Sequence, residues 1–251
     1  MAQLLTSAAG HGLTAIFRAL KKVRPERPIH SRGLRLTGTV EVRPSAGASG
    51  ISWVDTPGTS TVTARISRSV GLPDGLPDVV GLAFRLQGGP DALGAGESDS
   101  RALGRPDAVG PSGGDVLLSS TGWSRTGRFV LSPRLRADRA PLTTIIPYRG
   151  SEGPVLIGAR ALGSEALPAS LKGFERKLGG GTWTLGLYYA HPRGPWHQFG
   201  ILSLCLDLLG EEEDSRFDAV LNPLPGAGTY DWARRLREPS YAVARQPPTS
   251  P

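Results

Sequence analysis

Three arginine-bearing stretches supply the residue types from which acid–base and ligand chemistry can be built. Arg237 and Tyr241 stand four residues apart, a spacing that brings two side chains onto one helical face and sets a guanidinium against a phenol. A free phenol titrates at about 10, so a neighbouring cation helps to hold such an oxygen ionised. His30 stands in Arg27-Pro28-Ile29-His30-Ser31-Arg32-Gly33, and an imidazole titrates near neutrality, which suits it to moving a proton. A lone histidine before a strand is usually a surface or capping group, so its company decides its reading. Ala64-Arg65-Ile66-Ser67 adds a second cation and a hydroxyl.

Other chemistries have less support. His11, His30, His191 and His197 show no metal-ligand spacing with nearby carboxylates, which argues against a metal-dependent hydrolase. The formal net charge of +7 raises the question of nucleic acid. Its arginines, however, are spread along the chain beside Pro and Gly, without a helix-turn-helix, zinc-finger or RNA-recognition signature, so no nucleic-acid partner is expected. No apolar run approaches the roughly 20 residues of a bilayer span, and the N-terminal basic cluster follows the apolar residues instead of preceding them. These features predict a soluble, cytoplasmic protein. Cys205, the single cysteine, sits in the apolar run Ile201 to Leu206 and reads as a buried small hydrophobe.

The elements that must position these residues read mainly as strands. Leu5, Ala9, Leu13, Ile16, Phe17 and Leu20 recur at helical spacing, predicting an amphipathic N-terminal helix within residues 1–26. Leu34 to Val42 alternates apolar and polar residues, Val62 to Ser67 does so more weakly, and Gly81 to Leu86 follows a Pro- and Gly-rich turn. Residues 87–114 are rich in Gly, Pro, Ala, Ser and Asp without apolar period, which predicts a flexible insertion. Further strands are expected at Asp115 to Leu118, Arg128 to Leu131, Thr143 to Tyr148, Pro154 to Ala161, Trp183 to Tyr189 and Phe199 to Leu208. About eight antiparallel strands can close into a barrel around a cavity. Tyr230 to Arg245 is helical by composition, interrupted at Pro239.

Taken together, the stretches around His30, Ser67, Asn222-Pro223-Leu224-Pro225-Gly226 and Arg237-Glu238-Pro239-Ser240-Tyr241 resemble the haem-containing catalases in order and rough spacing. The resemblance covers about Arg27 to Arg245 of a chain much shorter than a typical catalase, and it is most like the minimal, catalase-related peroxidases. It implies an α+β, catalase-like closed antiparallel barrel, spanning 27–245, with N- and C-terminal helices and a disordered tail at 246–251. It implies haem b as cofactor, with Tyr241 as the iron ligand and Arg237 beside it. Pro239 departs from this pattern, because it deforms the turn between the two.

On the opposite side, the resemblance makes His30 the distal acid–base residue and Ser67 the hydroxyl that orients its imidazole. It also makes Arg27 and Arg65 the partners of the haem propionates. Ser119 occupies the position of a distal asparagine, and Trp123 or Phe129 stands in for the aromatic residues over the haem plane. Asp78, in the acid-and-glycine turn before Val79, is read as scaffold that accepts backbone N–H groups. Ile29 is apolar, as in true catalases and unlike the related hydroperoxide dehydratases. The expected function is thus a haem peroxidase acting on hydrogen peroxide or an organic hydroperoxide with a small reductant. The alternative is a non-catalytic catalase-fold protein that binds haem or a lipid. Homo-oligomerisation is left open.

Overall fold

A strand of alternating residues buries one face, and nine such strands organise this molecule. The computed structural model describes residues 33–45, 47–69, 71–87, 113–208 and 217–235. The expected N-terminal helix, residues 88–112 of the expected insertion, the tail at 246–251, and Arg27, His30, Arg237 and Tyr241 lie outside the described residues.

The strands are β1 (Gly33–Val42), β2 (Gly58–Arg68), β3 (Val80–Gln87), β4 (Asp115–Ser120), β5 (Leu142–Thr143), β6 (Tyr148–Gly150), β7 (Gly153–Ala161), β8 (Trp183–Ala190) and β9 (His197–Leu206). They form one antiparallel sheet in the order β5-β4-β3-β2-β1-β9-β8-β7-β6, and a pairing of β5 with β7 closes it. The closed ring therefore holds eight strands, and β6 hangs from β7 as a short hairpin. Closure removes the edges that an open sheet would leave unpaired.

Leu36, Val40, Val62, Ala64, Ile66, Leu82, Phe84, Val116, Leu118, Ile157, Leu185 and Leu202 point into the ring and pack into one core. Among the described residues the inside of the ring is lined by packed aliphatic and aromatic side chains. Helix Leu171–Leu178 contributes Phe174 and Leu178, four residues apart, and Phe174 meets Trp183 edge to face.

Local departures from expectation have physical causes. Arg128 to Leu131 is not a strand: Gly127–Phe129 forms a turn of 3-10 helix, and only Leu131 bridges back to Thr121. The expected strand from Thr143 to Tyr148 is split into β5 and β6 by Ile145, whose φ of 58° lies in the left-handed region. Its N–H donates to Thr143 Oγ1 at 3.3 Å, and the Ile146 N–H closes back on the Thr144 carbonyl at 2.5 Å. Cys205 is not a buried hydrophobe. Leu202 and Leu204 take the inward positions of β9, which leaves the half-buried thiol outside, 3.4 Å from the Thr37 carbonyl. Helix Leu171–Leu178 has no counterpart in the expected elements.

Candidate functional site

The described residues expected at the site lie on the outer face of the barrel. Register places Gly33 opposite Ser67, Ser67 opposite Gly81, and Gly81 opposite Ser119. Strand alternation points Ser67 and Ser119 away from the core, since Ile66 and Leu118 point into it. The two hydroxyl-bearing positions are therefore two strand spacings, about 10 Å, apart, with a glycine between them. This floor carries only small side chains. Ser67 is only 6% exposed although it lies on the outer face, and Gly81 is buried too.

One step along the strands, about 7 Å away, the next outward row is Arg35, Arg65, Ala83 and Leu117. Arg35 and Arg65 are direct cross-strand neighbours, so two like charges sit side by side. Arg35 is offset by Asp207 at 3.3 Å. Arg65 lies along Gly33, where a Cβ would fall 2.4 Å from its Nε, so the glycine makes room for the guanidinium. Of the residues expected to form the site, the structure brings together Arg65, Ser67 and Ser119 on one outer wall.

The third row ends in Asp115, fully buried and gripped by Arg85 through Nε to Oδ1 at 2.6 Å and Nη2 to Oδ2 at 2.8 Å. That bidentate bond raises the pKa of Arg85 above the ordinary guanidinium value. Asp115 Oδ2 also accepts from the Asp218 N–H at 2.7 Å and from Asn222 Nδ2 at 3.0 Å. Phe217 lies under the Arg85 guanidinium at 5.5 Å. The segment 217–226 then turns under the barrel end, where Leu224 joins the core and the Pro225 carbonyl accepts from Trp53 N–H at 3.2 Å. Helical backbone begins again at 231–235.

Asp78 performs the scaffold role expected of it. Its carboxylate accepts from the N–H groups of Gly71, Leu72 and Val79 at 2.7–3.1 Å and faces Arg68 Nε at 3.3 Å. The turn that precedes β3 is thereby fixed.

Trp123 lies on the outer wall of β7 and β8, against Gly158. It stacks on Trp196 at 4.3 Å and 17°, meets Tyr188 edge to face at 5.4 Å, and has Arg160 over it at 5.3 Å. Arg128 lies over Trp196 at 4.5 Å and donates to the His191 carbonyl at 3.2 Å; burial first, and Arg125 second, lower its pKa. Phe129 is half-buried in its 3-10 turn. His191 meets the Pro154 carbonyl at 3.1 Å and His197 stacks on Tyr189 at 5.2 Å, so both are ordinary polar residues of the surface. Among the described residues no group of His, Cys, Asp and Glu could hold a metal ion, and no helix is long and apolar enough to cross a membrane.

Sequence reasoning missed Asp115 as the hub of this region. Its partner Arg85 lies 30 residues earlier, across a Gly- and Pro-rich stretch, and nothing local to either residue signals the pair.

No protein-family model and no curated protein matches the chain. Solved structures do. The chain is similar to a fungal catalase (TM-score 0.61, 13% identity, 95% of this chain and 63% of that one) and to catalase A from Saccharomyces cerevisiae (TM-score 0.57, 13% identity, 96% and 64%). It is also similar to a bacterial catalase (TM-score 0.53, 13% identity, 88% and 56%). It thus spans less than two thirds of the length of each of these proteins. At this identity the likeness is one of architecture, and the closed antiparallel barrel described above is a catalase-like fold.

Proposed function

We propose that the protein is a haem-dependent peroxidase of catalase-like fold, acting on hydrogen peroxide or an organic hydroperoxide. The observation that carries the proposal is the outer wall of β1 to β4, where Ser67, Gly81 and Ser119 form a small-residue floor bordered by Arg65. Small side chains beside a guanidinium suit a bulky ligand with carboxylate substituents, and haem is such a ligand. Arg65, together with Arg27, would pair with the propionates, and Tyr241 would supply an oxygen ligand to the iron, kept ionised by Arg237. When bound, haem supplies the iron centre at which a peroxide O–O bond is cleaved.

The chain's own part is proton movement and orientation. His30 would move the proton from one peroxide oxygen to the other, so that the departing oxygen leaves as water from hydrogen peroxide or as an alcohol from an organic hydroperoxide, with the two electrons drawn from the bound haem and restored by the reductant. Ser67 would orient that imidazole by a hydrogen bond. Ser119 donates one hydrogen bond to peroxide. Its hydroxyl is shorter and less rigidly aimed than a carboxamide. Oxygen release needs a second peroxide held in register, whereas peroxidation needs only heterolysis and then electrons from a reductant, so peroxidation survives this looser pocket better.

The test is the protein purified after haem supplementation and mixed with hydrogen peroxide, with and without an aromatic reductant. A Soret band, clear oxidation of the reductant and slow oxygen release are expected. Oxygen release at ordinary catalase rates would overturn the ranking of the two activities. A Soret band without peroxide consumption would favour the second reading, a non-catalytic haem- or lipid-binding barrel, to which the hydroxyl at Ser119 points.

A further inference from the structure

The segments that build the β7–β8 wall, 122–137, 153–164 and 181–206, contain six arginines and no aspartate or glutamate. Arg134 and Arg136 are engaged with the Thr121 carbonyl and with Asp138. Arg125, Arg128, Arg160 and Arg193 face no carboxylate among the described residues. Arg128 is the extreme case, because it is only 2% exposed. Its Nε donates to the Ser124 carbonyl at 3.3 Å and its Nη1 to the His191 carbonyl at 3.2 Å, while Nη2, which touches solvent, finds no acceptor among the described residues. Neutral carbonyls satisfy donors but leave the charge uncompensated. Arg125 adds a second positive charge beside it.

Around this charge the wall is built to hold its shape. The Trp196 Nε1–H donates to the Trp123 carbonyl at 2.9 Å, the two indoles stack against Gly158, and Tyr188 closes on Trp123 edge to face. Arg128 lies over Trp196 and Arg160 over Trp123, so a guanidinium caps each end of the stack. Trp123, Tyr188 and Trp196 are half-buried, and Arg125 and Arg160 are exposed. Trp, Tyr and Arg are the side chains that dominate binding energy at protein interfaces. A guanidinium laid on an indole keeps its edge N–H groups for a carboxylate. With both outer indole faces taken, no ring is left for a nucleotide base to stack on, and such stacking is a main anchor of single-stranded nucleic acid. We infer that this wall docks an acidic polypeptide, whose carboxylates pair with Arg128 and Arg160 at the two ends of the Trp123–Trp196 stack, whether or not haem is bound.

The probe is fluorescein-labelled octaglutamate, titrated with the full chain at low ionic strength and followed by anisotropy. Wild type is compared with Arg160→Gln, Arg128→Lys and Arg176→Gln. Arg160→Gln removes an exposed charge from one end of the stack, and Arg128→Lys keeps the charge but removes the planar fork. Arg176→Gln removes an equal charge from the exposed side of helix Leu171–Leu178. The wild type is expected to bind the peptide and to release it as salt is added. Arg160→Gln and Arg128→Lys should each weaken binding about 10-fold, the scale of one charge-assisted pair, and Arg176→Gln less than about 2-fold. Arg160→Gln should unfold thermally close to the wild type, so it alone decides the matter if Arg128→Lys does not fold. No binding by the wild type, or equal weakening by Arg160→Gln and Arg176→Gln, overturns the inference. A labelled oligothymidylate of the same charge that binds more tightly than the peptide, and weakens in Arg160→Gln, makes this a nucleic-acid surface and overturns it too. Displacement of the peptide by inorganic phosphate at matched charge makes it a small-anion site, with the same consequence.

Discussion

The two sides of this barrel share one packed interior and differ on the outside. A single register row runs from Gly33 through Ser67, Gly81, Ser119 and Thr143 to Gly158 and Tyr188. On the β1–β4 side its members are small or hydroxylic, and arginines follow in the next row. On the β7–β8 side the same row reaches Gly158, where a Cβ would sit 3.0 Å from the rings of both Trp123 and Trp196. There the space that glycine leaves is filled by the chain's own indoles, with Arg128 and Arg160 over them. A glycine in this row is thus a feature of packing on one wall and of the proposed ligand floor on the other. Both walls are covered by the chain, since Ser67 and Gly81 are buried as well; the residues that line the two walls are what differ.

The comparison can be broken most forcefully at His30. His30→Ala should lower peroxide turnover by about 10²–10⁴-fold, the usual share of a positioned acid–base group, while haem stays bound. Stopped-flow mixing with hydrogen peroxide measures it, and equal rates would remove His30 as the proton shuttle. On the opposite wall, Trp196→Ala should cost about 3 kcal/mol of folding stability through lost stacking and a cavity beside Gly158. Denaturant unfolding reads that loss. If haem affinity of the folded variant fell with it, the division between a structural and a ligand-bearing wall would fail.

Smaller effects sharpen the same division. Gly81→Val adds a branched side chain between Ser67 and Ser119 and should weaken haem binding about 10-fold, as overpacking of a close-fitting site does. A Gly81→Val protein that titrates with hemin like the wild type would show that the floor is not in contact with the ligand. Ser119→Asn restores a longer, planar donor and should raise oxygen release a few-fold without changing haem content, as an oxygen electrode would register.

How far all this was legible from residues alone depended on parity and distance. Leu34 to Val42 alternates cleanly, and β1 follows it to within one residue. Parity failed at Cys205, since Ile201 to Leu206 reads as one apolar run and hides which residues face in. Nothing in Thr143 to Tyr148 announces the left-handed Ile145, because β-branched residues favour extended backbone. Helix Leu171–Leu178 was legible and was passed over: Leu171, Phe174 and Leu178 fall at i, i+3 and i+7, with Lys172, Glu175, Arg176 and Lys177 between them. Arg65, Ser67 and Ser119 were visible through resemblance to a family, and their common wall follows from strand register. The Asp115 hub was not visible, because its partners at 85, 218 and 222 converge only through the fold.

The central claim, that Tyr241 holds a ferric haem against the β1–β4 wall, is tested most directly by the absorption spectrum of wild type and Tyr241→Phe after haem supplementation. The account predicts a Soret band with a phenolate charge-transfer band in the wild type, and loss of that charge-transfer band with sharply weakened haem retention in Tyr241→Phe. Identical spectra and retention in the two proteins, or no Soret band in the wild type, would contradict it.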